Sequence, residues 1–125
     1  MCLYKLDNFK VHKYEGWQVF TQVDGHLTPC MRRDYYYNEC PVNEWEEDIM
    51  AHILKTGNSL NTYPTGFHIF LRKRDAELWE ESGICNNSII KKVKFRKIVA
   101  KGWQVGRGMS KFMKVVVARE RYIID

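Results

Sequence analysis

Residues 89–97 read Ile-Ile-Lys-Lys-Val-Lys-Phe-Arg-Lys, and our expectation for the fold starts from this segment. The basic residues from Lys92 to Arg96 alternate with Val93 and Phe95. Successive side chains of a β-strand point to opposite faces, so the pattern predicts a strand with one basic and one partly apolar face. We expect this strand to cover residues 89–100.

Other segments of alternating or continuous apolar character predict further strands on both sides of this one. They cover residues 3–6, 17–23, 26–31, 67–71, 113–118 and 122–124. Asp24-Gly25 favours a tight turn and therefore a hairpin between two of these strands. The strands are expected to form a bent, mainly antiparallel sheet of about six strands.

Two short helices are expected to pack on one side of this sheet. The first covers residues 43–55, where Asn43 can act as the N-cap, Glu46 stands at the capping-box position and Trp45 belongs to an apolar face. The second covers residues 75–82. Together with the sheet, these helices predict an α+β fold.

Length and composition favour one globular domain over residues 1–125. Of the 125 residues, 45% are hydrophobic and 28% are charged, which is typical of a folded chain. No apolar run approaches the ~20 residues of a transmembrane helix, so no membrane association is expected. In a reducing compartment the cysteines are expected to be free thiols. They are Cys2, Cys30, Cys40 and Cys85.

Basic residues concentrate in the second half of the chain. The net charge is +5, to which residues 63–125 contribute +8 and residues 1–62 contribute −3. Such a distribution attracts an anionic partner, whether nucleic acid, a nucleotide or an acidic protein face. A solvated strand face that keeps the protein soluble is the simpler alternative.

The segment Tyr-Pro-Thr-Gly-Phe-His-Ile-Phe, residues 63–70, suggests a ligand pocket. Its alternation places His68, Phe70 and Arg72 on one strand face, a combination suited to an anionic aromatic ligand. The alternative is a structural histidine that bonds a neighbouring carbonyl, with Phe70 packed under the second helix. The predicted ligand-binding residues are Tyr63, His68, Phe70, Arg72, Trp103 and Arg107.

The tetrapeptide Gly-Trp-Gln-Val occurs at residues 16–19 and again at 102–105. The flanking sequences differ, which argues against an internal repeat. The simplest interpretation is two strand positions that each place a tryptophan in the core.

Several short motifs along the chain resemble a family of small uncharacterised phage and prophage proteins. They are Met1-Cys2-Leu3-Tyr4-Lys5, residues 63–70, Asp75-Ala76 with Trp79, Val93-Lys94-Phe95-Arg96, Ala100-Lys101-Gly102 and Val115–Glu120. The resemblance implies a mobile-element origin, a cytoplasmic location in the bacterial host cell and an accessory role there. With the basic charge, it leads us to expect a protein that binds an anionic host factor or a nucleotide-like signal and thereby counters antiviral defence.

The sequence shows no motif for catalysis, metal binding or cofactor binding, and we predict none of these. One alternative is a nucleotide-processing enzyme related to ADP-ribose-transferring folds, with Tyr63 and His68 gripping the ligand and Glu120 stabilising positive charge. A second alternative is nucleic-acid binding through the basic residues at 91–97. Assembly into a homo-oligomer is left open.

Overall fold

The computed structural model describes residues 3–30, 39–49, 52–83, 87–106 and 111–125. Nine strands and one helix lie within these ranges: β1 (Lys5–Leu6), β2 (Glu15–Val23), β3 (His26–Pro29), β4 (Trp45–Glu47), β5 (Ile53–Lys55), β6 (Thr62–Pro64), β7 (Phe67–Phe70), α1 (Lys73–Glu81), β8 (Ser88–Val105) and β9 (Phe112–Ile123). Strands account for 55% of the described residues and the helix for 8%. The fold is therefore mainly β, and the predicted α+β fold with two helices is wrong.

The segment predicted as the first helix, residues 43–55, contributes two strands instead. In its described part, β4 pairs with β9, placing Trp45 opposite Tyr122, and β5 pairs with β6. Asn43 has a φ of 57°, and its side-chain oxygen accepts a hydrogen bond from the backbone N–H of Asp125 at 3.2 Å. Pairing with neighbouring strands satisfies the backbone here and overrides the local helix propensity.

The second predicted helix, over residues 75–82, is confirmed as α1. Trp79 in this helix is 6% exposed and packs against Phe70 of β7, with 6.2 Å between ring centroids. The carboxylate of Asp75 accepts a hydrogen bond from the backbone N–H of Lys114 at 3.0 Å, which ties the helix to β9. No helix in the described ranges is long and apolar enough to cross a membrane.

Seven of the strands form one antiparallel sheet. Four of them pair in a closed circuit, from β8 to β2, β7, β9 and back to β8. β8 pairs with β1, β2 and β9. β9 also pairs with β7 and β4, and β7 meets β2 at the pair Trp17 and Phe70. β3 extends β2 as the expected hairpin, while β5 and β6 form a separate two-stranded sheet. The antiparallel arrangement agrees with the prediction, although about six strands were expected in it.

The middle of strand β9, Val115–Ala118, is buried on both faces. Val115 and Val117 belong to one apolar cluster, Val116 and Ala118 to a second, and all four side chains are 0% exposed. Phe70 and Trp79 contribute to the first cluster, while the second contains Phe20, Ile69, Val93 and Phe95. Burial on both faces explains the continuous apolar run of this strand.

The first half of β8 has one buried and one exposed face, as its alternating sequence predicted. Val93 and Phe95 are at most 1% exposed. Lys92, Lys94 and Arg96 are exposed. This part of the strand therefore presents a basic surface to solvent.

An irregularity in β8 brings a further cation to this surface. Lys97 has a φ of 60°, and the pairing register with β9 shifts between Ile98 and Ala100. A bulge of this kind interrupts the strict alternation of side chains along a strand. Lys97 is exposed next to Arg96, and both side chains form ion pairs with Glu120.

The repeated tetrapeptide marks two places where neighbouring backbones approach closely. A Cβ on Gly16 would overlap the carbonyl oxygen of Phe70, and a Cβ on Gly102 would overlap that of Lys5. Each glycine is therefore required by the adjacent strand. The tryptophans that follow them are only partly buried, which corrects the expectation that both lie in the core.

The cysteines differ from the expectation of free thiols. Cys30 is disulfide-bonded, which contradicts that expectation. Cys40 is buried with its thiol intact, and its Sγ lies 3.4 Å from Arg121 Nη2. Cys2 and Cys85 lie outside the described residues.

Candidate functional site

Three residues of the predicted pocket, Tyr63, His68 and Phe70, are buried. His68 and Phe70 line a small cavity of about 70 Å³, room for roughly two water molecules. Tyr63 Oη lies 3.0 Å from His68 Nε2 and accepts a hydrogen bond from the backbone N–H of Leu3 at 2.8 Å. These contacts join Tyr63 and His68 in an internal hydrogen-bonded cluster.

The hydrogen bonds of His68 fix its tautomer. Its Nδ1 lies 3.2 Å from the carbonyl oxygen of Gly66, which can only accept, so Nδ1 carries the proton. Nε2 is then the acceptor for the hydroxyl of Tyr63. Burial lowers the pKa of His68 to about 4, because desolvation disfavours the imidazolium form. His68 is neutral at physiological pH, and these contacts are those of a structural histidine.

Two further residues of the predicted pocket, Arg72 and Trp103, contact each other at the protein surface. The guanidinium carbon of Arg72 lies 5.7 Å from the Trp103 ring centroid. Trp103 Nε1 donates a hydrogen bond to Asp7 at 2.6 Å, which lowers the pKa of that carboxyl. Arg107 lies outside the described residues, so the six-residue pocket as a whole stays a prediction.

A larger groove lies on the exposed face of the first half of β8. Its volume is about 720 Å³, within the ~300–1,000 Å³ common for small-molecule sites. It is lined by Lys13, Tyr14, Glu15, Trp45, Lys94, Phe95 and Arg96. Three of these residues are cationic, and two, Tyr14 and Trp45, carry exposed aromatic rings, against one carboxylate, while the ring of Phe95 is buried. This composition makes the groove the best candidate for a site that binds an anionic aromatic ligand.

The pairing register aligns side chains of this groove across four neighbouring strands. Trp45 of β4 lies opposite Tyr122 of β9, which lies opposite Lys94 of β8. Lys94 in turn lies opposite Glu15 of β2. Residues paired in this way project from the same face of a sheet. The groove is therefore built on a row that runs from two aromatic rings through a cation to a carboxylate.

Arg96 is held above the aromatic end of this row. Its guanidinium carbon lies 3.9 Å from the Trp45 ring centroid. Its Nε and Nη2 donate hydrogen bonds to the two carboxylate oxygens of Glu120 at 3.0 and 3.2 Å. These bonds, with Lys97 Nζ at 3.2 Å from the same carboxylate, lower the pKa of Glu120. A two-point bond of this kind restricts the orientation of the guanidinium plane.

Two lysines and a tyrosine complete the groove. Lys94 Nζ lies 5.6 Å from the Tyr122 ring centroid. Neither Lys94 nor Lys13 forms an ion pair with any residue in the described ranges. Tyr14 is 58% exposed, and its ring meets that of Phe95 edge-on at 5.9 Å. The charges of both lysines and most of the Tyr14 ring are accessible to a ligand.

The sequence predicts only part of this groove. It indicates a basic face with Lys94 and Arg96, but it places Trp45 in a helix and gives no role to Lys13 or Tyr14. Their proximity depends on which strands pair and in which register. That information is carried by long-range packing, and local patterns do not specify it.

The residues named for the enzymatic alternative are engaged in separate interactions. Glu120 binds Arg96 and Lys97 beside the groove. Tyr63 and His68 bond to each other within the protein interior. Among the described residues, no group of three or more side chains is arranged to hold a metal ion.

Comparisons with protein-family models, with curated proteins and with solved structures found no match to this chain. The residues and geometry of the groove are therefore the basis of the candidate function. The resemblance to phage proteins stays a prediction.

Proposed function

We propose that the chain binds a nucleotide-like anion in the groove beside β8. The observation that carries this proposal is Arg96 fixed over Trp45, with Lys94, Lys13 and the exposed ring of Tyr14 around the same groove. A nucleotide combines an aromatic base with phosphate charge. A groove that combines aromatic rings with accessible cations is complementary to both parts.

Arg96 is the residue on which we expect the base to stack. One face of its guanidinium contacts Trp45, and a base can stack on the other face. Glu120 engages only Nε and Nη2, so Nη1 can donate to a phosphate oxygen. Lys94 and Lys13 supply further positive charge for the phosphates.

The resemblance to small phage proteins supplies the proposed biological setting. In this setting the ligand is an anionic factor of the bacterial host, and a nucleotide-like signal is the first candidate. Binding of this ligand by the protein counters antiviral defence. The groove supports the anionic and aromatic character of the ligand. The host setting rests on the resemblance.

Titration with ATP and with a cyclic dinucleotide tests the proposal, read by calorimetry and by the amide shifts of Tyr14, Lys94 and Arg96. We expect the Lys94→Gln, Arg96→Gln double variant to weaken binding about tenfold or more, because charge-assisted hydrogen bonds contribute about 1.5–3 kcal/mol each. The Lys10→Gln, Lys55→Gln double variant is the matched control, since it also removes two positive charges and both lysines are exposed outside the groove.

Two results would contradict the proposal. One is the absence of binding by both nucleotides at millimolar concentration. The other is an equal loss of affinity in the Lys10→Gln, Lys55→Gln variant, because that outcome indicates attraction by net charge and no defined site.

Single-stranded nucleic acid is a second candidate, favoured by exposed cations that follow one another along β8. They are Lys92, Lys94, Arg96 and Lys97. A basic track beside exposed aromatic rings is typical of single-strand binding. Affinity for an oligothymidine should then fall with added salt, with a slope of about −0.7 per phosphate contact on logarithmic axes. Unchanged DNA and RNA retention after replacing positions 92, 94 and 96 by Gln would exclude this candidate.

A further inference from the structure

A second basic pocket lies beside the start of α1, near the opposite end of β8 from the groove. Phe112 in this pocket is paired with Val105, the last residue of β8. The pocket measures about 450 Å³. It is lined by Arg72, Arg74, Asp75, Leu78, Lys111 and Phe112. Three cations therefore share this pocket with one carboxylate.

The carboxylate of Asp75 is already committed to protein contacts. Its side chain is 5% exposed, and its Oδ2 accepts hydrogen bonds from Arg72 Nε at 2.7 Å and from the backbone N–H of Lys114 at 3.0 Å. Asp75 thus anchors Arg72, whose own side chain is 52% exposed. The buried end of this ion pair positions the guanidinium at the pocket.

The other two cations of the pocket are not neutralised by the protein. Neither Arg74 nor Lys111 forms an ion pair with a residue in the described part of the chain. The backbone N–H groups at the start of α1 add partial positive charge. The side chain of the N-cap residue Arg72 makes no capping hydrogen bond to them. The pocket carries an excess of two positive charges over its single carboxylate.

Phe112 gives this cationic pocket an apolar wall. Its side chain is 43% exposed, and Lys5 Nζ lies 4.6 Å from its ring centroid. The ring of Tyr4 lies 5.7 Å away and supports it. An exposed ring beside unneutralised cations is complementary to an anion that is attached to an aromatic group.

We infer that this pocket binds an aromatic phosphate monoester. Such a group carries close to two negative charges at neutral pH, which matches the charge excess of the pocket. Arg72, Arg74 and Lys111 contact the phosphate, and Phe112 contacts the aromatic ring. The inference is independent of the function proposed for the groove, because the two sites share no lining residue.

Amide NMR titrations with phenyl phosphate and with inorganic phosphate test this site. We expect phenyl phosphate to shift the amides of Arg74, Phe112 and Lys114 and to bind more tightly than inorganic phosphate. The Arg74→Gln, Lys111→Gln double variant should weaken binding about tenfold or more. The groove variant with Lys94→Gln and Arg96→Gln is the matched control, since it removes the same charge. The affinity for phenyl phosphate that is read at the amides of Arg74, Phe112 and Lys114 should stay unchanged in it, although binding at the groove itself should weaken.

AMP serves as a third probe, because an aromatic phosphate can come from a nucleotide or from a phosphorylated aromatic side chain. The affinities are compared at the amides of Arg74, Phe112 and Lys114, which report on this pocket and not on the groove. AMP binding there as tight as phenyl phosphate identifies the nucleotide source, and a clear preference for phenyl phosphate identifies the side-chain source. Absence of shifts at millimolar phenyl phosphate overturns the inference. So do equal affinities for phenyl phosphate and inorganic phosphate, or an affinity that the double variant leaves unchanged.

Discussion

Gln18 and Gln104 occupy the same position in the two copies of Gly-Trp-Gln-Val, yet their environments differ. Gln18 Nε2 donates to the carbonyl oxygen of His68 at 3.0 Å, and its Oε1 accepts from Arg121 Nη1 at 3.0 Å. Gln104 is 1% exposed, and neither its Nε2 nor its Oε1 has a hydrogen-bond partner among the described residues. A buried amide without partners opposes folding, whereas a paired one supports it.

Replacing Gln104 by Met should therefore stabilise the protein. We expect the free energy of unfolding to rise by about 1–3 kcal/mol, the usual cost of a buried unpaired polar group. Gln18→Met is the matched control and should lower the free energy of unfolding, since it leaves Arg121 Nη1 and the His68 carbonyl without their partners. Urea unfolding measures both variants, and a loss of stability in Gln104→Met would show that the amide has a stabilising role.

The buried imidazole of His68 predicts a pH dependence of stability. Its pKa is about 4 in the folded protein and 6.5 in the unfolded chain, so the unfolded state binds the extra proton between these values. The contribution of neutral His68 to the free energy of unfolding is therefore fully present above pH 6.5. It is lost as the pH falls towards 4, and the loss is about 3 kcal/mol at most. His68→Gln should show a flatter profile between pH 4 and 6.5. Parallel profiles for the two proteins would contradict this assignment.

At the level of strands, the close contact at Gly102 should control the attachment of β1. A methyl group there would overlap the Lys5 carbonyl oxygen, so Gly102→Ala is expected to lower the free energy of unfolding by about 1–3 kcal/mol. Hydrogen exchange should show faster exchange of the Tyr4 and Asp7 amides, which bond to β8. In Gly16→Ala the added methyl group overlaps β7 instead. The exchange rates of the Tyr4 and Asp7 amides should then keep the same ratio to those of the core amides as in the unsubstituted protein.

The elements that the sequence predicted correctly are those with strong local patterns. The alternation around Val93 and Phe95 identified the two faces of β8, and the segment at 75–82 was recognised as a helix. Residues 43–55 also have a sequence typical of a helix, but β4 pairs with β9. The cross-strand hydrogen bonds of this pairing outweigh the local helix propensity. The groove depends on that pairing through Trp45. It could not be predicted from local patterns for the same reason that the helix was mispredicted.

Across the whole molecule, the basic second half of the chain is divided between two surfaces. The groove contains Lys94 and Arg96 of the first half of β8. The pocket at α1 contains Phe112, which is paired with Val105 at the other end of β8. Lys94 and Trp103 are nine residues apart on β8, a contour length of roughly 30 Å at 3.3 Å per residue, which the bulge at Lys97 shortens. That separation exceeds the Debye length of about 8 Å at physiological ionic strength, so ligands at the two sites should bind without strong electrostatic coupling.

The central place of β8 also sets the order in which the chain can fold. β8 and β9 are neighbours in sequence and can form a ribbon at small entropic cost, whereas β1 reaches β8 only across most of the chain, with Lys5 opposite Trp103. Synthesis on the ribosome proceeds in the reverse order. The amino-terminal strands therefore emerge with unpaired edges, which stay unpaired until the last third of the polypeptide has been synthesised. During this interval chaperones can protect these strands from aggregation.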